Sequence, residues 1–373
     1  MAYEIGELPL QTLLPIVARA EDQLARLDEI VRRSPVGAGF IERGHFFDTA
    51  AGMWVSGELV HVEDLVLHDA HMDIRAPTHE LTIAHTILRA RRRIAGAEPD
   101  WAISDRGVAS LTRVREPARS EEGSVSNDRK REGDEPADAD EVEPLAAEFA
   151  HIDAVLERSE RLIGSLIHGS ASTVPERRGI AVGDLVIRDP DWDETDRLSQ
   201  WRSVQMAVED MPPVLAAVLL FDAWEALEPM QRQHWLGGLL VSAYLRYRGK
   251  VTSHLPAFNV GLKGVTRERR RARDRTTRLL AFLDGMSVAA DAGLKEIIRL
   301  QQARGQMERK LHGRRTSSSL PTVIELILAR PMVSASMVAQ AARVTQRGAL
   351  NLITEIGARE MTGRRRYRAW GII

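Results

Sequence analysis

Thr345-Gln346-Arg347-Gly348-Ala349-Leu350-Asn351-Leu352-Ile353-Thr354-Glu355-Ile356-Gly357 carries two opposed patterns in one short span. Ala349, Ile353 and Ile356 recur at helical spacing and form an apolar stripe, while Arg347, Asn351 and Thr354 recur at i, i+4, i+7 on the opposite stripe. Thr345 is placed to cap the start of this helix, and Gly357 to end it in the left-handed conformation. One face is built to pack, and the other is left to meet something outside.

The flanks complete the pattern. A helix is expected from near Ser319, with Pro321 in its first turn, where a missing amide donor costs nothing. Its inward residues are Val323, Ile324, Ile327 and Leu328, and Arg330-Pro331 ends it. A second helix is expected from an N-cap at Ser334 to Ala342, with Met337, Val338 and Ala341 inward. After Gly357 the chain suggests a hairpin: Arg359-Glu360-Met361, a tip at Thr362-Gly363-Arg364-Arg365-Arg366, and a returning strand Tyr367-Arg368-Ala369-Trp370. Three short helices and a basic hairpin make a winged helix-turn-helix, so duplex DNA is the expected partner.

The residue types suit that partner. Arg347 and Asn351 can make bidentate contacts with guanine and adenine edges, with Gln346 and Thr354 beside them. Arg364, Arg365, Arg366 and Arg368 can reach phosphates or the minor groove from the wing. A winged helix can also serve only to bind protein or to dimerise, because fold alone does not fix function. Gly348 departs from good helix composition, costing about 1 kcal/mol against Ala, and could permit a close backbone approach.

Outward from this segment, the chain of 373 residues is long enough for several domains, and its net charge of −2 means that any DNA contact must come from local patches. With no cysteine, disulfides, thiolate catalysis and Cys-based zinc sites are excluded. The first residues lack the basic and apolar regions of a signal peptide, and no stretch approaches a membrane span, so a cytoplasmic protein with no membrane association is expected.

The expected fold class is mainly α, a multi-helical body with a C-terminal winged helix-turn-helix. Four regions are expected: an N-terminal helical region 1–112, a disordered charged linker 113–144, a helical core 145–315, and the winged helix 316–373. The N-terminal region shows Leu13, Ile16, Val17, Ala20, Leu24, Leu27 and Ile30 at helical spacing, then periodic runs near 58–70 and 78–94. Further helical periodicity covers 144–166, and a strand-like piece lies at 179–187. The densest apolar runs are a helix after Pro212-Pro213 and another from Trp235 to Tyr247. Two more helices are expected over 265–283 and 289–311.

Other chemistry-bearing clusters have bland explanations. His45, His61, His68, His71, His79 and His85 crowd one region, but without cysteine or an HExxH pattern they suit caps and core edges, and no metal or other cofactor is expected. The acidic run Asp189–Asp196 lacks calcium-loop spacing and suits capping of the helix that carries Leu198, Trp201 and Val204. Arg269, Arg270 and Arg271 lie in a basic stretch that either extends the DNA footprint or forms a solvated, salt-bridged face. No phosphate loop, nucleophile elbow or catalytic carboxylate pair is present, so no enzyme is expected.

Leu255-Pro256-Ala257-Phe258-Asn259-Val260-Gly261-Leu262-Lys263, the Arg267–Asp274 segment, Gln306–Leu311, and the Arg359–Arg364 and Arg368–Gly371 stretches resemble a family of rhizobial-type, often plasmid-borne proteins. That family pairs a domain of unknown function with a C-terminal helix-turn-helix DNA-binding domain. The family carries no established biochemical role; the winged helix itself leads to the expectation of a DNA-binding protein, with transcriptional regulation as its role and the helical body mediating homodimerisation or partner binding. More distantly, Leu24–Leu67 and Trp235–Leu240 are similar to parts of Fic-domain proteins. Their catalytic His-Pro-Phe and Gly-Asn-Gly-Arg motif is missing, and Glu228–Trp235 stands in its place. That resemblance implies a helical scaffold without nucleotidyl-transfer activity; the alternative to DNA binding is a protein-interaction module whose winged helix docks protein, for instance a partner of a toxin or plasmid-maintenance factor.

Overall fold

A computed structural model of the chain describes residues 3–73, 76–112, 192–310, 319–362 and 368–372. The expected linker at 113–144, the helix at 144–166 and the strand-like piece at 179–187 lie outside them. The described residues fall within one compact unit assembled from 1–116 and 189–373.

Helix formation follows local signals. Helix α1 (Leu10–Arg33) buries Leu13, Val17, Ala20, Leu24, Leu27 and Val31 at its 3.6-residue period. Ser34-Pro35 ends it, since the residue before a proline is driven out of helical geometry. Ile30, expected inward, is exposed instead, because the period drifts it off the packed stripe. Helix α2 (Gly37–Ser56) follows at once, then α3 (Val62–Asp69), α4 (His79–Gly96) and α5 (Asp105–Thr112). Thr78 caps α4 by accepting from the Leu81 amide at 3.2 Å.

After the undescribed stretch, Asp193 caps α6 (Glu194–Ala207), its carboxylate accepting from the Thr195 and Asp196 amides at 2.9 and 3.0 Å. Trp201 and Val204 are buried on α6, as expected from the capped pattern. Helices α7 (Pro213–Leu227) and α8 (Leu236–Tyr247) are buried on nearly every side and form the centre of the molecule. The segment Glu228–Trp235 joins them.

Short helices α9 (Phe258–Lys263) and α10 (Arg267–Arg270) precede α11 (Arg275–Arg309). Two helices expected over 265–283 and 289–311 are thus one long helix starting later. Asp274 sets the start by capping the Thr277 amide at 2.8 Å, and nothing between 284 and 288 breaks the helix. Its small residues there serve packing: a Cβ on Gly261 of α9 would lie 1.9 Å from the Gly285 carbonyl oxygen, so these helices cross at backbone contact.

The N-terminal and central regions share one core, since α1 and α9 both lie along α11 and α1 also meets α7. A buried polar knot ties them together. The Asp48 carboxylate of α2 accepts from Arg91 of α4 at 2.6 Å and from the Asn259 side chain at 3.0 Å. Its other oxygen accepts from the Asn259 and Val260 amides at 2.8 and 3.2 Å, so it caps α9 from a distant part of the chain. Arg91 in turn donates to the Leu255 and Pro256 carbonyls at 2.8 and 2.9 Å. The Leu255–Lys263 motif is therefore the piece that the rest of the fold is knotted around.

Among the histidines, His45 is buried on α2, and burial together with the Arg91 and Arg92 charges pushes its pKa down to about 3. His68 and His85 stack edge-on with centroids 4.7 Å apart and face Asp73 and Asp69 respectively.

Candidate nucleic-acid interface

The C-terminal segment builds α12 (Leu320–Ala329), strand β1 (Val333–Ser334), α13 (Ala335–Ala342), α14 (Gln346–Ile356), β2 (Arg359–Glu360) and β3 (Ala369–Gly371). The sheet order is β1-β3-β2, all antiparallel. Sequence reasoning found the hairpin but not β1, whose two residues carry no periodicity. Its Val333 pairs with Trp370, which fixes the hairpin to the helical part of the domain.

The caps and faces fall where the sequence puts them. Val323, Ile324, Ile327 and Leu328 are buried on α12. Ser334 accepts from the Met337 amide at 3.2 Å, and Thr345 from the Gly348 amide at 3.2 Å. Met337 and Val338 are buried on α13, whereas Ala341, expected inward, is exposed. Arg343 at φ 54° makes the left-handed turn between the two helices. A Cβ on Gly348 would lie 3.3 Å from the Val344 Cβ, so glycine lets this turn fold tightly against the next helix.

On α14, Ala349, Ile353 and Ile356 are buried, whereas Gln346, Arg347, Asn351 and Thr354 are all exposed. Gln346 donates to the Ser336 hydroxyl at 3.2 Å, which aligns the starts of α13 and α14. The Thr354 hydroxyl donates back to the Leu350 carbonyl at 2.9 Å. Leu350 is itself exposed on the same side and was not singled out from sequence. Apolar contact with a thymine methyl group is the chemistry open to it.

At the base of the wing, Arg368 donates through Nε to Glu360 at 2.8 Å and lies over the Trp370 ring, 5.3 Å from its centroid. That pairing staples β2 to β3 and occupies Arg368 in holding the hairpin. Arg364, Arg365 and Arg366 lie outside the described residues.

The second basic group divides. Arg270 is buried, donates from Nε to the Val265 carbonyl at 3.1 Å and lies over Trp54, which removes it from any phosphate-binding set. Arg269 is exposed and pairs with Asp284 at 2.7 Å. Arg271 is exposed and lines a separate cleft with Glu225 and His234. Arg269 thus belongs to a salt-bridged pair with α11, and Arg270 to the packing around Trp54.

The domain is mounted firmly on the body. Lys310 donates to the Ile356 carbonyl at 2.7 Å, closing the C-terminus of α14 with a cation where the helix dipole favours one. Arg299 donates to the Ile372 carbonyl at 3.1 Å, and Arg330 to Asp69 at 2.8 Å. Buried Arg43 of α2 pairs with Glu296 at 2.8 Å and also bonds the Ile327 and Arg330 carbonyls at the end of α12.

Comparison with known proteins agrees with this division. Residues 186–312 match a family described as a protein of unknown function (DUF1612), and residues 320–373 match a helix-turn-helix DNA binding domain. Over its whole length the chain is 46% identical across 388 residues to "Uncharacterized protein y4cF" of Sinorhizobium fredii (strain NBRC 101917 / NGR234), all of which it covers. The chain belongs to that family. In this DUF1612 family member the helix-turn-helix match covers every element from α12 to β3, so the exposed face of α14 belongs to a DNA-binding domain. The DUF1612 match runs from before α6 to just past α11 and includes the Leu255–Lys263 motif. Among the described residues no helix is long and apolar enough to cross a membrane.

Proposed function

We propose that this protein is a transcriptional regulator that binds duplex DNA through its winged helix and works in the cytoplasm as a homodimer. The observation that carries the reading is α14, whose buried Ala349, Ile353 and Ile356 lock the helix while Arg347, Leu350 and Asn351 stand exposed on the other side. Arg347 and Asn351 read base edges in the major groove, and Gln346 and Thr354 support them. Arg364, Arg365 and Arg366 supply sequence-independent contacts to phosphate or the minor groove. The body carries no assigned catalytic step and serves dimerisation and control.

Genome-wide mapping of binding sites of the tagged protein, followed by anisotropy titrations on the recovered fragments, tests this. Discrete sites are expected. Asn351→Ala should then lose about 1–3 kcal/mol at a single base-pair position. Neutralising Arg364–Arg366 should weaken all sequences alike and flatten the dependence on salt. An equal loss on every sequence for Asn351→Ala rejects its base-reading role, and the absence of discrete sites rejects the regulator.

A further inference from the structure

The body contains a cavity of about 440 Å³, a size that accommodates a small organic molecule. Its walls come from α1, α2, α11 and the Leu255–Lys263 motif, and are mostly hydrocarbon: Leu27, Phe40, Phe47, Leu255, Val260 and Ala289 among them. The space is partly open to solvent, so a small molecule can enter it, and its largely apolar lining suits a hydrocarbon group.

Charge at its edge is uneven. Glu296 on the lining is answered by both Arg43 and Arg299 at 2.8 Å. Lys263, also on the lining, is exposed and has no carboxylate partner among the described residues; its ammonium only faces Trp54, 5.6 Å from the ring centroid. An apolar chamber with one unanswered cation at its edge is complementary to an amphipathic anion.

A second cavity of about 360 Å³ adjoins the first, sharing Phe47, Ala50, Val62, Lys263 and Arg299 as lining. Its other walls include Pro331, Met332, Met361 and Ile372, all from the winged helix. Arg299, common to both cavities, is the residue that holds the Ile372 carbonyl. A ligand in the first cavity that reaches Lys263 therefore lies beside the cavity that the winged helix helps to line.

We propose that these adjoining cavities are an effector site for a small amphipathic carboxylate, with its apolar body between α2 and α11 and its carboxylate on Lys263. Control of DNA binding by that ligand rests on the regulator reading above; binding of the ligand itself does not.

The site is tested on the full-length protein without DNA. 8-Anilinonaphthalene-1-sulfonate is used as a fluorescent probe and displaced by decanoate or by decanol, its uncharged counterpart. Decanoate is expected to displace the probe at least tenfold more effectively than decanol. Lys263→Gln, a change on an exposed side chain, should abolish that tenfold preference and leave decanol unchanged. Ala50→Phe, which fills the shared wall, should weaken both. Equal displacement by acid and alcohol, no displacement by either, or indifference of decanoate to Lys263→Gln overturns the proposal. Anisotropy on the mapped DNA fragments separates the two readings. A protein that binds decanoate through Lys263 and no DNA keeps the site and loses the regulator; one that binds DNA and not decanoate loses the site.

Discussion

Asp48 illustrates how much of this fold hangs on single side chains that no sequence pattern marks. Its carboxylate accepts from Arg91, Asn259 and Val260, all distant in sequence, and both Asp48 and Arg91 are essentially shut off from water. Asp48→Ala leaves the Arg91 charge buried without its partner, so about 3–5 kcal/mol should be lost, visible as a lower urea midpoint. His45 sits nearby, neutral because burial and two arginines hold its pKa near 3. Its unfolded pKa is near 6.5, so between these values the unfolded chain binds the extra proton. Its contribution to stability is complete above pH 6.5 and is lost as pH falls toward 3, at up to roughly 1.4 kcal/mol per pH unit. His45→Gln should flatten the fall of the urea midpoint from pH 6.5 to 4; an unchanged slope would show that His45 does not drive it. On α14 the residues facing outward were evident from spacing alone, because a short amphipathic helix with a cap at each end has only one way to turn. Arg270 was not evident: an arginine among arginines looks solvent-facing, and only the fold shows that it bonds the Val265 carbonyl.

Element boundaries followed local chemistry where a cap or proline was present, as at Ser334, Thr345, Asp193 and Pro213. They were missed where tertiary contact decided. Helix α11 runs unbroken through Gly285 and Ser287 because α9 packs against that stretch and needs its small side chains. Strand β1 exists because Trp370 offers it a partner. Helix α2 meets α12 at Gly39 in the same manner: a Cβ there would come within 2.9 Å of the Leu328 carbonyl oxygen. Gly39→Ala should therefore force α12 outward and lower stability by about 1–3 kcal/mol, the usual cost of overpacking, measured by thermal unfolding. A gain in stability, as expected for a glycine-to-alanine change in a free helix, would show that the contact yields.

For the whole molecule, the telling fact is that the winged helix is bolted to the body through Arg43, Arg299, Arg330 and Lys310. Arg43→Met leaves Glu296 and two carbonyls at the end of α12 short of a donor. Hydrogen exchange should speed up in α12 by a factor set by about 1–3 kcal/mol of lost stability, since Glu296 keeps Arg299, while α7 and α8 stay protected. Uniform exchange throughout would mean that the domain and the body open together. The sequence by itself determined the helical class, the winged helix at the C-terminus and the exposed face of α14, because caps, periodicity and turn residues act within a few positions of one another. Only the tertiary structure decided that the N-terminal and central helices form one core, that Arg270 is buried over Trp54, and that an apolar cavity edged by Lys263 adjoins a second one lined in part by the winged helix. Those facts depend on contacts between residues hundreds of positions apart, and neither spacing nor composition carries information about such contacts.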